Sequence, residues 1–160
     1  MKAYLDIETD RQGIISVIGI YTELKGLVQL YGDDVTAQNV LTVTDMAKTV
    51  VTFNGDSFDL PLIKKSLDLD LRATHSSLDL FKEKKVLGIR GGLKELEKKF
   101  GIARKTDGIN GYDAVKLWES YTRFGSLESL RLLLEYNGED VVNLISLESC
   151  LANLKGEQNG

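Results

Sequence analysis

The chain has 160 residues, 42% of them hydrophobic and 28% charged, with a formal net charge of −4. That balance excludes a disordered or fibrous chain, and the length lets one domain bury about 68–70% of its unfolded surface. Cys150 is the only cysteine and His75 the only histidine, which excludes an intramolecular disulfide framework and a zinc site built from spaced Cys/His pairs.

The first strand is predicted at "KAYLDIE", followed by "IISVIGIY" and "LVQLY". These are β-branched or aromatic runs separated by the turn-type segments "TDRQG" and "TELKG", and they read as a three-stranded antiparallel meander. "VTAQNVLTVTDMAK" reads as a short helix, and "TVVTF" as a compact apolar strand that breaks at "NGDSFD". "DLPLIKKSLDL" reads as a helix with Pro61 in its first turn and Ser57 or Asp59 as its cap. "ATHSSLDL" supplies one more strand, and helical periodicity dominates from there on. In "GGLKELEKKF" the apolar stripe is Leu93, Leu96 and Phe100, with Lys94, Glu95, Lys98 and Lys99 outside. "YDAVKLWESY" carries a stripe of Ala114, Leu117, Trp118 and Tyr121, and a last long helix runs from "SLESL" to "LANL".

Five strands and these helices predict an α/β fold with a mixed five-stranded sheet, expected as a single domain over residues 1–155 with a frayed tail at 156–160. The amino terminus lacks a signal pattern and no apolar run approaches the roughly 20 residues of a membrane span, so a cytoplasmic protein with no membrane contact is expected. Charge is divided unevenly along the chain. Residues 82–105 hold 9 Lys/Arg against 3 Asp/Glu, between flanks of 7 against 12 and 4 against 9. That basic segment suits a nucleic-acid backbone, with Lys84, Lys85 and Arg90 as examples, and equally suits a solvated helix face.

Alternate strand residues share a face, so Asp6 and Glu8 project together, about 7 Å apart along the strand. Two such carboxylates repel unless a cation intervenes, yet a pair of solvated strand-end acids explains them as well. Asp59 follows a buried strand and opens a helix, which fits either a ligand or a cap. Tyr136 and Asp140 lie four apart on the last helix and share a face, as a core tyrosine and a surface acid also would.

Taken together, "LDIET", "NGDSFD" and "YNGED" resemble the three motifs of the DnaQ-like 3′-to-5′ exonucleases, which have the ribonuclease-H-like fold. The tyrosine form of the third motif resembles their DEDDy subgroup. The run "GYDAVKLWESY…LLLEYNGEDVVNL" is similar to the YprB-type branch. The resemblance implies that Asp6, Glu8, Asp59 and Asp140 hold two Mg²⁺ or Mn²⁺ ions, with Asp6 bridging, and matches Tyr136 to the motif's tyrosine. A phenol of pKa near 10 is a poor general base at neutral pH, so its expected role is to orient the attacking water by a hydrogen bond. It further implies a single-stranded DNA or RNA substrate, with Asn54 of the second motif helping to shape the site. Hard oxygen ligands suit these ions, and a pair of them suits in-line phosphodiester displacement. A structure-selective endonuclease, or a nucleic-acid-binding or protein-interaction module on the same fold, stands as the alternative. Asp79 is a further acid near a strand end. Trp118 and Tyr121 fit core packing better than base stacking.

Overall fold

The computed structural model describes all residues from Met1 to Gly160. Its elements in chain order are β1 (Lys2–Thr9), β2 (Ile15–Thr22), β3 (Gly26–Tyr31), α1 (Ala37–Thr44), β4 (Thr49–Thr52), α2 (Asp59–Leu67), β5 (Ser76–Asp79), α3 (Leu80–Val86), α4 (Leu93–Lys99), α5 (Gly111–Phe124) and α6 (Leu127–Asn159). The sheet order is β3-β2-β1-β4-β5, antiparallel through the meander and parallel from β1 to β4 and β5. This is the expected five-stranded mixed sheet, and β1 is its centre.

The period-2 pattern of β1 splits the core between the two faces. Ala3, Leu5 and Ile7 pack with Ile18 and Ile20 of β2 against Val40 and Val43 of α1 and Leu60 and Ile63 of α2. Tyr4, on the opposite face, joins Leu80, Leu96, Val141, Leu144 and Leu147 from α3, α4 and α6. A third cluster unites Val17 of β2, Ala114 of α5, and Leu133 and Tyr136 of α6. Asp6 and Glu8 therefore face α6.

Local signals explain the helix boundaries. Thr36 caps α1, Asn110 and Asp113 form a capping box on α5, and Ser126 caps α6, each worth about 1 kcal/mol. The cap expected for α2 is absent: Phe58 occupies that position with no side-chain bond, and Asp59 is the first helical residue with its carboxylate engaged elsewhere. Pro61 sits in the first turn, where its missing N–H costs nothing. The tail expected at 156–160 is instead helical through Asn159, as the exposed last turn of α6. No helix is long and apolar enough to cross a membrane.

Two glycines set how closely α6 approaches the sheet. A Cβ on Gly19 would lie 2.3 Å from Asn137 Oδ1 and 2.8 Å from Val141 Cγ2. A Cβ on Gly138 would lie 3.0 Å from Leu27 Cδ2, so this mid-helix glycine serves close packing on β3.

Candidate active site

Strand pairing fixes the first two acids. Asp6 lies opposite Gly19 and Glu8 opposite Val17, so the side-chain space above Asp6 is open to α6. Asn137 fills it, donating from Nδ2 to Asp6 Oδ2 (3.2 Å) and to the Asp6 carbonyl (3.3 Å), while its own Oδ1 accepts from Gln29 Nε2 (3.0 Å). One turn along α6, Asp140 joins the pair. Carboxylate oxygens of Asp6, Glu8 and Asp140 all lie within 4.8 Å of one another.

Asp59 approaches from the other side of β1. That strand pairs with β4 only over Lys2–Tyr4, and beyond this the Ile7 N–H donates to Asp59 Oδ2 at 3.1 Å. Asp59 is thus held against the backbone between Asp6 and Glu8, outside the three-acid group. The hydrogen bond that a longer β4 would make is supplied by the first residue of α2.

Crowding of buried acids sets the electrostatics. Burial, then the charge of Asp140, then that of Glu8 hold Asp6 well above the usual carboxylate range. Glu8 is pushed up to about 8, first by burial and then by Asp140, with Lys94 opposing. Asp59 is raised to about 7 by burial, against the lowering effect of the Ile7 N–H. Burial, and then Asp140, Glu8 and Asp6, hold the Tyr136 phenol far above its ordinary value, so it stays a proton donor at neutral pH.

Two cations press on this cluster. Asp140 Oδ1 accepts from Lys94 Nζ (2.6 Å) and Arg104 Nη2 (2.5 Å), and the same two groups lie 4.6 and 5.0 Å from the Tyr136 ring centroid. The Arg104 side chain is almost wholly buried, with Nη1 donating to both oxygens of Glu97 (3.0 and 2.9 Å) and Nη2 also donating to the Tyr136 carbonyl (3.2 Å). Burial disfavours its charge, but Asp140 and Glu97 outweigh that effect and leave its pKa raised. Asn143 donates to Glu97 as well, so one buried polar chain ties α4 and the segment after it to α6.

Arg104, Glu97 and Asn137 are missing from the sequence-based set, and the outward position expected for Lys94 does not hold. One signal pointed to Glu97. It occupies the i+4 slot of the Leu93, Leu96, Phe100 stripe, where a charge has to be buried and paired. Arg104 lies in a loop, without periodicity to mark it.

Asp79 does belong to the framework. Its carboxylate accepts the N–H groups of Asn54 (2.7 Å), Asp56 (3.2 Å) and Phe81 (3.0 Å), and so pins the turn after β4 while capping α3. Asn54 sits in that turn with φ 64°, a left-handed conformation that asparagine tolerates. Beside it, Phe53 packs edge-on against Phe81 (5.5 Å), and Lys84 and Lys85 place Nζ 4.4 and 4.5 Å from the Phe81 ring centroid. Lys84 is buried, whereas Lys85 and Arg90 are exposed. Trp118 and Tyr121 pack on one another (5.4 Å), as their spacing predicts.

A ribonuclease-H-like sheet whose central strand and last long helix gather three carboxylates fits a metal-dependent nuclease. A family model described as the RNase H superfamily matches residues 3–152, and the chain belongs to that superfamily. A search of curated proteins returned no match to the sequence.

Proposed function

We propose that this protein is a 3′-to-5′ exonuclease of the DnaQ-like DEDDy type, closest to the YprB branch, acting on single-stranded DNA or RNA as one domain. The observation that carries the reading is the convergence of Asp6, Glu8 and Asp140 within 4.8 Å. Three hard oxygen donors at that spacing repel one another once ionised, which a divalent cation shared between them relieves, and they fit Mg²⁺ or Mn²⁺. Asp6, Glu8 and Asp140 would hold one ion. Asp6 and Asp59 would hold a second, with Asp59 reaching it directly or through water. When bound, such a pair supplies an acidified water and charge stabilisation on the attacking and leaving oxygens.

The remaining work falls to the chain's own side chains. Tyr136, protonated and buried, donates a hydrogen bond that orients the attacking water. Asn137 holds the Asp6 carboxylate in place, and Arg104 does the same for Asp140. Asn54 helps to shape the site from the Asp79-pinned turn, and the exposed Lys85 and Arg90 neutralise the incoming backbone, whereas Lys84, expected to join them, is buried beside Phe81.

The test is incubation of 5′-labelled and internally blocked single-stranded DNA and RNA with Mg²⁺ or Mn²⁺, with Asp6→Ala as control. A ladder shortening from the 3′ end that the control lacks supports the proposal. Internal cuts identify an endonuclease, and neither Mn²⁺ binding nor degradation identifies a binding module.

A further inference from the structure

We propose that Arg11, Tyr112 and Lys116 form a second nucleotide subsite, on the flank of the acidic cluster opposite Phe81 and its lysines; this rests on the nuclease reading above. β1, β4 and β5 run parallel, so their carboxyl ends open on one edge of the sheet, where open α/β sheets take their ligands. Glu8, the Asn54 turn and the Asp79 cap of α3 all lie on that edge. Phe81 and its lysines border it on the β5 side.

On the other side, β1 runs into the turn that carries Arg11. Asp10 Oδ1 fixes that turn by accepting the N–H groups of Gln12 and Ile14, both at 2.9 Å. Arg11 follows Glu8 by three residues, at most about 10 Å of chain. Its Nε and Nη2 bond Glu119 (2.6 and 2.9 Å), which orients the guanidinium and leaves Nη1 free of that carboxylate. The guanidinium carbon then lies 5.9 Å from the Tyr112 ring centroid, and Lys116 Nζ lies 4.3 Å from the same centroid. Lys116 enters no ion pair.

Tyr112 is tied to the end of β1 through Arg11, which Glu119 of the same helix holds in place. Ala114, two residues later and so on the other side of α5, is buried in one cluster with Tyr136 and with Val17, the residue opposite Glu8, which leaves Tyr112 on the outer face of the same turn. Farther along α5, Trp118 and Tyr121 are half-buried and Phe124 is exposed at the helix end with no cation on its ring, whereas Tyr112 is 58% exposed and has two. An exposed ring with two cations near it, beside the turn that follows β1, suits a base stacked on the ring with its phosphates on the cations. A single strand laid over the acids then meets Phe81 and Lys85 on one side and Tyr112 on the other.

The test uses fluorescence anisotropy of fluorescein-labelled thymidylate and uridylate decamers in Ca²⁺ buffer, together with KM for the same decamers in Mn²⁺. Tyr112→Ala is expected to raise Kd and KM about fivefold or more, and Tyr112→Phe to restore both. Lys116→Ala is expected to reduce the salt slope of log Kd by about 1. Hydrolysis of the p-nitrophenyl ester of thymidine 5′-phosphate, which does not reach the subsite, is expected to stay unchanged in all three variants. The decamer that loses more affinity in Tyr112→Ala identifies which of the two nucleotides, thymidylate or uridylate, is preferred there. Wild-type Kd and KM in a folded Tyr112→Ala protein would overturn the subsite and leave the nuclease reading intact. Wild-type protein that neither binds nor degrades decamers would overturn both.

Discussion

Asp140 Oδ1 meets both Lys94 and Arg104, so the carboxylate that completes the three-acid group is also its anchor to the buried ion pairs. Asp140→Asn is expected to weaken Mn²⁺ binding at least about tenfold by calorimetry. Tyr136→Phe should leave that affinity intact and lower turnover on the order of tenfold or more, because only the water-orienting hydroxyl is lost. Arg104→Ala strands Glu97, 2% exposed, with Asn143 as its remaining side-chain partner. A cost of about 3–5 kcal/mol is expected, read from the urea midpoint. Arg104→Lys should recover only part of it, because one ammonium cannot span Glu97 on one side and Asp140 with the Tyr136 carbonyl on the other as the two guanidinium nitrogens do. The acids were legible in the sequence because alternation on a strand and four-residue spacing on a helix place side chains by local geometry alone. Arg104 was not legible, because its partners come from two helices on either side of it in the chain and only folding brings them together.

At the scale of elements, α6 docks on the sheet through absent side chains. Gly19→Ala places a methyl group against Asn137 Oδ1, which is already committed to Gln29, and against Val141. The substitution is expected to cost about 1–3 kcal/mol by thermal or denaturant unfolding, and to loosen Asp6 by displacing its Asn137 donor. A crystal structure or the Mn²⁺ affinity of the variant checks the second effect. Gly19 gave no warning in "ISVIGIY", where it reads as an ordinary weak point in a strand. Its reason lies on α6, more than a hundred residues away. The meander, by contrast, was legible because its turns are short and its strands alternate. The missing cap on α2 shows the limit of such rules, since Asp59 satisfies a β1 amide in preference to its own helix.

For the whole molecule, the raised acids link pH to stability. Glu8 moves from 4.5 to about 8 and Asp59 from 3.8 to about 7, so between those limits the folded chain holds protons that the unfolded chain releases. Folded stability is then greatest below about pH 4 as far as these groups are concerned, and is lost progressively as pH rises to 8. In EDTA the melting temperature should therefore gain from acidification across pH 8 to 6, allowing for other groups by comparison with a Glu8→Gln variant. Added Mn²⁺ should raise the melting temperature more at pH 8 than at pH 6, since cation binding needs the carboxylates ionised.

β1 carries Asp6 and Glu8 and is the central strand of the sheet, with helices on both faces, β2 along one edge, and β4 and then the Asp59 carboxylate along the other. Its amides should be among the slowest to exchange with deuterium, opening only when the entire chain does. The reactive carboxylates then sit on the last element to let go. Fraying at the rim of the protein leaves them in place, and heat inactivation should coincide with global melting in one cooperative step.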